Sequence, residues 1–449
     1  MTKMTTEQMT EEFEQRLERL IRIPSEYSTD EPPFGKNIRK ALHELLSIAE
    51  EDGFTTENVD DFAGHIEFGE GEEIFGILAH LDVVPAGNGW KHSPYALTKK
   101  DGKLYGRGTQ DDKGPLIAAY MAMKALKQEG FLPKKRVRLI AGTDEEREWK
   151  GIDHYFSKKE MPDFGFTPDA VFPVIHAEKG LIDASLNLKT NVSEDESTYI
   201  ERIEAGDRLN MVPDATEVTI VHKGEQKLTF PSADNVTWNG DRVTIHFSGK
   251  AAHGSTPERG ENAVLKTMSA LEGMDFPESQ QRAITWMVEH MKASDGKGMG
   301  IPFEDEISGA LTMNVGTLHG SMENWKVGIN IRYPISYSHD DVVTNLKNLL
   351  PASVEYEEVD QMQSLYVPED HPGVQTLLTS YEKVTGETSE AKAIGGATYA
   401  RVLENGVAFG AIFPESPDSA HQADECVRVE DMQRAMEIYK SAIYEWTRK

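Results

Sequence analysis

A histidine and an aspartate, His80 and Asp82, end an apolar run that begins at Ile74. A short continuous apolar run predicts a β-strand buried on both faces, as in a parallel sheet covered by helices. Ligands bind at the carboxyl ends of such strands, and side chains two positions apart in an extended chain point the same way. The pair fits a metal-binding imidazole oriented by a carboxylate, although a surface His–Asp pair would have the same sequence.

Other ionisable side chains follow predicted strands or lie in loops of the same part of the chain. They are Asp111, Asp112, Glu145, Glu146, Asp169 and His421. Imidazoles and carboxylates without cysteine suit a borderline cation such as zinc, manganese or cobalt. The set is too large for one catalytic zinc ion, and it fits two ions that share a bridging carboxylate.

Glu145 and Glu146 follow a predicted strand directly. If the backbone stays extended, the two side chains point to opposite sides, so that one can face a metal ion and the other the substrate. A carboxylate beside a metal-bound water is a natural general base. Taken alone, the acidic run would more often be a solvated turn, and Asp111–Asp112 a turn that caps a helix.

Strands and helices alternate around these residues. Helical spacing is found over about 10–22, 36–51, 116–126 and 151–158, and strand patterns over 65–68, 74–82, 136–142, 168–175 and 406–413. This order predicts an α/β fold with a mainly parallel sheet flanked by helices. From about residue 187 the pattern changes to alternating strands, a helix over 262–274, a long polar region and a strand–helix–strand unit over 325–358. We therefore predict a catalytic domain of residues 1–187 and 373–449, with an α+β lid domain inserted at 188–372.

The composition restricts partners and location. The net charge is −29, and because nucleic acids and anionic membranes attract clustered Lys and Arg, we expect neither as a partner. No segment approaches the apolar length of a membrane span, and the first residues do not resemble a secretion signal. A single cysteine, Cys426, excludes an internal disulfide and fits a reducing compartment. We expect a cytoplasmic protein.

Three motifs carry a family resemblance: His80–Pro85, Gly106–Gly114 and Thr143–Glu146. In this order, and followed by His421, they resemble the dinuclear-zinc exopeptidases and deacylases, which include carboxypeptidase G, aminoacylase, carnosinase and succinyl-diaminopimelate desuccinylase. The resemblance covers nearly the whole chain. Within that superfamily the chain is most similar to the peptidase V type, the Xaa-His dipeptidases. The stretches concerned are His80–Trp90, Arg208–Asp214, Asn330–Pro334 and Gly395–Arg401, in which Ala397 replaces the usual glycine.

The resemblance implies a dinuclear metal centre, with zinc the first choice and manganese or cobalt as alternatives. The implied ligands are His80, Asp111, Glu146, Asp169 and His421. Asp111 would bridge the ions, with His80 and Asp169 on one side and Glu146 and His421 on the other. Asp82 would orient His80, Glu145 would be the general base, and the Asp111–Asp112 peptide would be cis.

The resemblance also implies roles for residues of the inserted domain. His253 would stabilise the developing oxyanion, and Asn210 and Gly396 would contact the substrate. Val327, Ile329 and Ile331 alternate with polar or small residues, so Arg332 is expected to point away from the core face. It could bind a substrate carboxylate with two hydrogen bonds, or it could be an ordinary exposed arginine.

Together these features predict a metal-dependent dipeptidase that hydrolyses unblocked dipeptides, including Xaa-His or β-alanyl ones. A water held between two metal ions would attack the peptide, with Glu145 as base. The resemblance links Asp rather than Glu at position 169 to substrates with a free amine. An N-acyl amino acid deacylase on the same scaffold is the alternative, and a non-catalytic metal-binding protein is a third hypothesis. In the dipeptidases that the chain resembles, a long inserted domain supplies its histidine within one chain, so the resemblance implies a monomer. We expect small peptides as its partners.

Overall fold

The computed structural model describes residues 4–449. Its α-helices are α1 (Thr6–Ile21), α2 (Lys36–Glu51), α3 (Lys113–Gln128), α4 (Lys150–Phe156), α5 (Ala263–Leu271), α6 (Glu278–Met291), α7 (His339–Leu349), α8 (Pro372–Thr385) and α9 (Val429–Thr447). Short 3₁₀ helices occupy Pro257–Arg259, Lys297–Met299 and Tyr399–Val402. In this part of the chain, none of the helices combines the length and the apolar character needed to span a membrane.

The strands up to residue 205 are β1 (Thr55–Val59), β2 (Ala63–Phe68), β3 (Ile74–His80), β4 (Thr98–Lys100), β5 (Lys103–Tyr105), β6 (Arg136–Gly142), β7 (Phe164–Thr167), β8 (Ala170–Val171), β9 (Val174–Glu178), β10 (Gly180–Lys189) and β11 (Thr198–Ala205). Those that follow are β12 (Ala215–His222), β13 (Asn235–Asn239), β14 (Arg242–Ser248), β15 (Glu304–Asp305), β16 (Gly309–Ala310), β17 (Thr312–Gly320), β18 (Asn324–Tyr333), β19 (Val354–Met362), β20 (Leu365–Tyr366), β21 (Lys392–Ile394), β22 (Gly406–Phe409), β23 (Ala411–Ile412) and β24 (Cys426–Arg428).

The chain divides into two compact units. Unit 1 comprises the residues up to His176 together with Tyr366–Lys392 and Ala397–Lys449, and unit 2 comprises Ala177–Leu365 and Ala393–Gly396. The sequence pattern placed the division after residues 187 and 372. Unit 2 begins at Ala177, before the predicted boundary at residue 187. The reason is that β10 is paired along its length with β18 and extensively with β19, two strands of unit 2.

Unit 1 is built on a sheet with the strand order β1-β2-β6-β3-β7-β22-β9. The four strands β6, β3, β7 and β22 run parallel, whereas β1, β2 and β9 pair antiparallel at the sides. Every residue of β3 is buried, as the apolar run predicted. The α/β class is therefore confirmed, with a parallel centre between antiparallel strands.

Helices pack on both faces of this sheet, and loops follow the carboxyl ends of its parallel strands. The larger core contains apolar side chains of α1, α2, α3, α8 and α9, and α3 is buried almost all round. A smaller core on the other face includes Ile152 of α4, Tyr399 and Leu403. The strand ends that carry the predicted site residues are thus held by a scaffold packed on both sides.

Unit 2 contains an antiparallel sheet with the order β13-β14-β12-β11-β17-β18-β10-β19. Apolar side chains of α5, α6 and α7 pack with those of the sheet in one core. Helix α6 lies in the region whose sequence is long and polar. Its buried apolar residues, Ala283, Ile284, Met287 and Met291, form a narrow stripe, which is why the helical period is weak in a largely polar sequence.

The buried imidazole of His65 makes the stability of unit 1 depend on pH. The Tyr155 hydroxyl lies 2.9 Å from its Nδ1, and burial, followed by the nearby charge of Arg138, lowers the pKa of His65 to about 4. An unfolded histidine has a pKa of about 6.5. Between these values the unfolded chain binds a proton that the folded chain does not, so stability falls as the pH decreases through this window.

We expect His65 to contribute a loss of about 2 kcal/mol in unfolding free energy between pH 6.5 and pH 5. Urea unfolding at the two pH values, on the wild type and on His65→Gln, measures this contribution. The variant should be less stable at pH 6.5 but should lose about 2 kcal/mol less on acidification. Equal losses in the two proteins would show that His65 is not held neutral by the fold.

Candidate active site

The predicted metal ligands all lie in unit 1, at strand ends or in the loops beside them. His80 is the last residue of β3, Glu145 and Glu146 follow β6 closely, Asp169 precedes β8, and His421 lies between β23 and β24. Because parallel strands present their carboxyl ends at one edge of a sheet, separate stretches of sequence converge there. The distances below show that these side chains form one cluster.

Asp111 is at the centre of this cluster. Its Oδ1 atom lies 3.0 Å from Nε2 of His80, and its Oδ2 atom lies 2.9 Å from Nε2 of His421. His80 Nε2 is 3.7 Å from Oδ2 of Asp169, and His421 Nε2 is 3.1 Å from Oε1 of Glu146. One carboxylate therefore presents each of its oxygens to a different imidazole, which is the arrangement that a bridging ligand requires. The Asp111–Asp112 peptide is cis.

Hydrogen bonds fix the orientation of His80. Its Nδ1 lies 3.0 Å from the backbone oxygen of Asp82 and 3.5 Å from Oδ1 of the same residue. An Nδ1–H that donates to this carbonyl leaves Nε2 as an electron-pair donor. Asp82 thus acts on His80 mainly through its carbonyl oxygen.

The carboxylate of Asp82 has another partner, the backbone that carries the two glutamates. Its Oδ1 accepts the N–H of Glu145 at 3.1 Å, and its Oδ2 accepts the N–H of Glu146 at 2.9 Å. Both glutamates lie in a turn, so the extended backbone that would place their side chains on opposite sides is not present. The turn forms because one carboxylate binds two successive N–H groups. Both glutamate side chains consequently reach the cluster.

Glu145 is close to the cluster without sharing the short contacts of Asp111. Its Oε2 lies 4.0 Å from Nε2 of His80. Burial raises the pKa of Glu145 well above its ordinary value, His80 opposes this shift, and Asp169 and Asp111 add to it. A general base near neutral pH benefits from such a raised pKa.

Asp112 supports the cluster from behind rather than capping helix α3. It occupies the N-cap position, but its side chain makes no capping hydrogen bond. Instead, its Oδ2 accepts the backbone N–H of His80 at 3.0 Å. Asp112 is fully buried, and burial raises its pKa. A helix-capping turn is one interpretation of the sequence here, and the observed partner is instead the end of strand β3.

The residues present fit divalent cations. His80 Nε2 and Asp111 Oδ1 are buried and face each other, yet neither has a hydrogen bond of acceptable geometry. With the proton on Nδ1, both atoms are electron-pair donors, and a cation between them removes their repulsion. Two groups that could hold an ion, His80–Asp111–Glu146 and His80–Glu145–Asp169, each bring their donor atoms within 4.8 Å of one another. They overlap the predicted ligand sets, and the second also includes Glu145, the predicted base. Nitrogen and oxygen donors of this kind suit zinc or manganese.

His421 adopts a backbone conformation that is unusual for a residue other than glycine. Its φ is 62°, a left-handed conformation that is strained and concentrates at functional sites. Contacts with Asp111 and then Glu146 raise the pKa of His421 to about 10. The loop thus holds an imidazole against two carboxylates at the cost of backbone strain.

In unit 2, the predicted carboxylate-binding residue Arg332 is not an exposed strand arginine. It is 4% exposed, and its Nε donates to Oδ1 of Asn330 at 2.9 Å. Asn330 in turn donates through Nδ2 to Oδ1 of Asp183 at 2.5 Å. Arg332 Nη1 donates to the backbone oxygen of Gly395 at 3.4 Å. Asn330 and Asp183 therefore fix the guanidinium, which sequence alone did not indicate.

The other predicted substrate residues lie near Arg332 in the same unit. Met211, next to Asn210, forms a β-bridge with His253, and the Asn210 carbonyl accepts the N–H of Gly254 at 2.7 Å. Asn314 holds this loop through the backbone oxygens on either side of Asn210, at 2.9 and 2.8 Å. Partial desolvation and then the charge of Arg332 lower the pKa of His253, so its imidazole is neutral near pH 7. Gly396, adjacent to Gly395, completes the group.

Comparison with known proteins agrees with this architecture. Residues 76–445 match the model of the family described as Peptidase family M20/M25/M40. The chain is 41% identical over 429 residues to “Putative dipeptidase YtjP” of Bacillus subtilis, covering 92% of this chain and 91% of that protein. It is 38% identical over 435 residues to a “Putative dipeptidase” of Staphylococcus epidermidis, covering 93% and 92%.

Solved structures share the fold at low sequence identity. Human carnosine dipeptidase 1 aligns over 99% of this chain and 98% of its own, with a TM-score of 0.61 and 15% identity. The aminoacylhistidine dipeptidase of Vibrio alginolyticus aligns over 96% of each chain, with a TM-score of 0.61 and 14% identity. The predicted superfamily and the predicted enzyme class, a peptidase, are thereby confirmed, and the chain belongs to peptidase family M20/M25/M40.

Proposed function

We propose that this protein is a metal-dependent dipeptidase that hydrolyses unblocked dipeptides, with two divalent ions, most simply zinc, bound by the cluster of unit 1. The observation that carries the proposal is the Asp111 carboxylate, whose two oxygens face His80 and His421 separately. Asp169 and Glu146 complete the two ligand sets at 3.7 and 3.1 Å from these imidazoles. A cytoplasmic location, a monomeric state and the lid role of unit 2 belong to the same proposal.

The side chains of this protein divide the work of peptide hydrolysis. When bound, the metal ions polarise the peptide carbonyl and lower the pKa of water. Glu145 accepts a proton from the attacking water at a carboxylate oxygen and delivers it to the amine nitrogen that leaves. The neutral His253 donates an N–H to the oxygen that becomes negative. Asp82 and Asp112 hold the backbone from which His80, Glu145 and Glu146 project.

The substrate is expected to carry both a free amine and a free carboxylate. The buried guanidinium of Arg332, held by Asn330, suits the planar carboxylate of a C-terminus. The family resemblance links Asp at position 169 to substrates with a free amine, which favours an unblocked dipeptide. Two relatives named putative dipeptidases are 41% and 38% identical to this chain in sequence, which supports a dipeptide over an acylated amino acid as the substrate.

Matched substrates test this proposal. A free dipeptide, its N-acetylated form and the corresponding tripeptide should be incubated with zinc- or manganese-loaded protein, and amino acid release should be measured. We expect cleavage of the free dipeptide alone, no activity after treatment with a chelator, and recovery when metal is returned. Cleavage of the N-acetylated form alone would instead identify a deacylase. Inactivity on all three with both ions bound would favour a non-catalytic protein.

A further inference from the structure

A buried ion pair lies beside the metal-ligand cluster. Nη1 of Arg107 is 2.6 Å from Oε2 of Glu425, and the side chains are 1% and 0% exposed. The free energy lost when two charges are removed from water exceeds the free energy gained from their attraction, unless further hydrogen bonds stabilise both groups. The other partners of each side chain therefore indicate what the pair holds in place.

The carboxylate of Glu425 binds the backbone of the loop that ends at Asp111. It accepts the N–H of Gly108 at 3.0 and 3.1 Å, that of Gln110 at 2.8 Å and that of Asp111 at 3.1 Å. Convergent N–H groups of this kind form a concave site for an anion. Gly108 has a φ of +87°, a conformation that glycine adopts without strain. One side chain thus fixes the backbone from which the Asp111 carboxylate projects.

Arg107 extends the same network to the segment that follows His80 and Asp82. Its Nη2 donates to the backbone oxygens of Pro85 and Ala86 at 3.3 and 3.4 Å. The guanidinium carbon lies 5.3 Å from the ring centre of Trp90, a distance at which a cation and an aromatic ring attract each other. The ion pair therefore connects three loops, each of which carries or adjoins a metal ligand.

A second contact joins the His421 loop to the Asp111 loop. Oε1 of Gln110 accepts the N–H and the hydroxyl of Ser419 at 2.7 and 2.8 Å, and its Nε2 donates to the oxygen of Pro417 at 2.8 Å. Glu425 follows His421 closely in the same loop. The segment around His421 is consequently fastened to the Asp111 loop on both sides of the imidazole.

We propose that Glu425 is a positioning residue of the metal centre. It sets the distance between Asp111 and His421, so that the site of Asp111, Glu146 and His421 is formed before a metal ion binds. The proposal rests on the proposed metal-dependent function. A preformed site binds its ion more tightly because the protein does not have to order the ligands at the moment of binding.

The test is metal affinity, measured separately from activity and from stability. In Glu425→Gln, the dissociation constant of each zinc ion is obtained by competition with a chelating dye on the folded protein. We expect one of the two ions to bind about 10–100-fold more weakly, the range found when groups that support metal ligands are changed. Turnover should fall accordingly and recover in excess zinc, with KM unchanged. Wild-type affinity for both ions, with only a lower urea midpoint, would overturn the proposal.

Glu425→Asp distinguishes positioning from charge balance and serves if the glutamine variant does not fold. It keeps the negative charge beside Arg107, but its shorter side chain cannot reach all the N–H groups of the loop. We expect the same ion to bind more weakly, and an unchanged zinc affinity would contradict the proposal. The matched control is Glu67→Gln. This change breaks a part-buried ion pair between Glu67 and Arg138, whose charged atoms are 2.7 Å apart, and neither residue belongs to the loops that carry the metal ligands. It should lower the urea midpoint and leave zinc affinity unchanged.

The same measurements separate this proposal from the proposed function. If the wild type fails to bind two ions or to cleave a dipeptide, the proposed function fails whatever the variants do. If the wild type binds both ions and cleaves the dipeptide, and the Glu425 variants keep wild-type affinity, only the positioning role is wrong.

Discussion

Replacing Glu145 by glutamine is expected to lower kcat for a free dipeptide about 10³–10⁴-fold, near the upper end of what a positioned proton-transfer group contributes. Glutamine has nearly the same shape but cannot accept the proton of the attacking water at neutral pH. The turn should persist because Asp82 binds the backbone N–H groups of residues 145 and 146, not their side chains. Metal analysis should still find two ions, and KM should change little.

The control for this variant lies in the same turn. Glu148 has a side chain that is 51% exposed and paired with Lys150, so Glu148→Gln should keep wild-type kcat. Turnover by Glu145→Gln within tenfold of the wild type would show that another group accepts the proton. If the variant loses a metal ion as well as turnover, Glu145 is a metal ligand. Metal analysis is needed to distinguish the two roles because the Glu145 carboxylate lies only 4.0 Å from Nε2 of His80.

The parts of the fold that were predicted closely are those whose pattern arises from local burial. The strand predicted over 136–142 is β6 (Arg136–Gly142), and the helix predicted over 36–51 is α2 (Lys36–Glu51). A fully buried strand requires an uninterrupted apolar run, and a helix on a sheet requires an apolar stripe with the helical period. These requirements act on residues that are close together in the sequence, so the sequence displays them.

Features that depend on distant residues were not predicted. The antiparallel direction of β2 and β9 has no local signature, because both strands are largely buried on both faces, like their parallel neighbours. Unit 2 begins at Ala177 rather than at residue 188, and the sequence does not display this because the pairing of β10 with β18 and β19 joins segments far apart in sequence. Helix α6 was missed because most of its residues are polar.

In the candidate site, the residue types could likewise be predicted from the sequence, whereas the contacts between them could not. The types and order of the ionisable residues, together with the family motifs, were enough to select the cluster around Asp111. Their hydrogen bonds were not predictable: the Asp82 carboxylate holds the Glu145–Glu146 backbone, and its carbonyl faces His80. Likewise, Glu425 contacts the Asp111 loop across more than 300 residues of sequence, and only the folded chain brings the two together.

Replacing Arg332 by methionine is expected to lower kcat/KM for a free dipeptide about 10²–10³-fold, the effect of removing one partner of a buried charge pair. Methionine has a similar length and no charge. The C-terminal amide of the same dipeptide has no carboxylate to lose, so its kcat/KM should change much less. The wild type should prefer the free acid strongly, and the variant should lose most of that preference.

The ratio of the two substrates separates recognition of the carboxylate from general damage. Arg332 is 4% exposed and hydrogen-bonded to Asn330, so its loss can also disturb the fold of unit 2. Such damage would lower kcat/KM for the acid and for the amide by the same factor. Arg202→Met provides the control, since Arg202 lies in the same unit with a 64% exposed side chain paired to Glu204. It should leave both values unchanged. An equal decrease for acid and amide in Arg332→Met would mean that the arginine maintains the fold of unit 2, and the carboxylate would then need another cation.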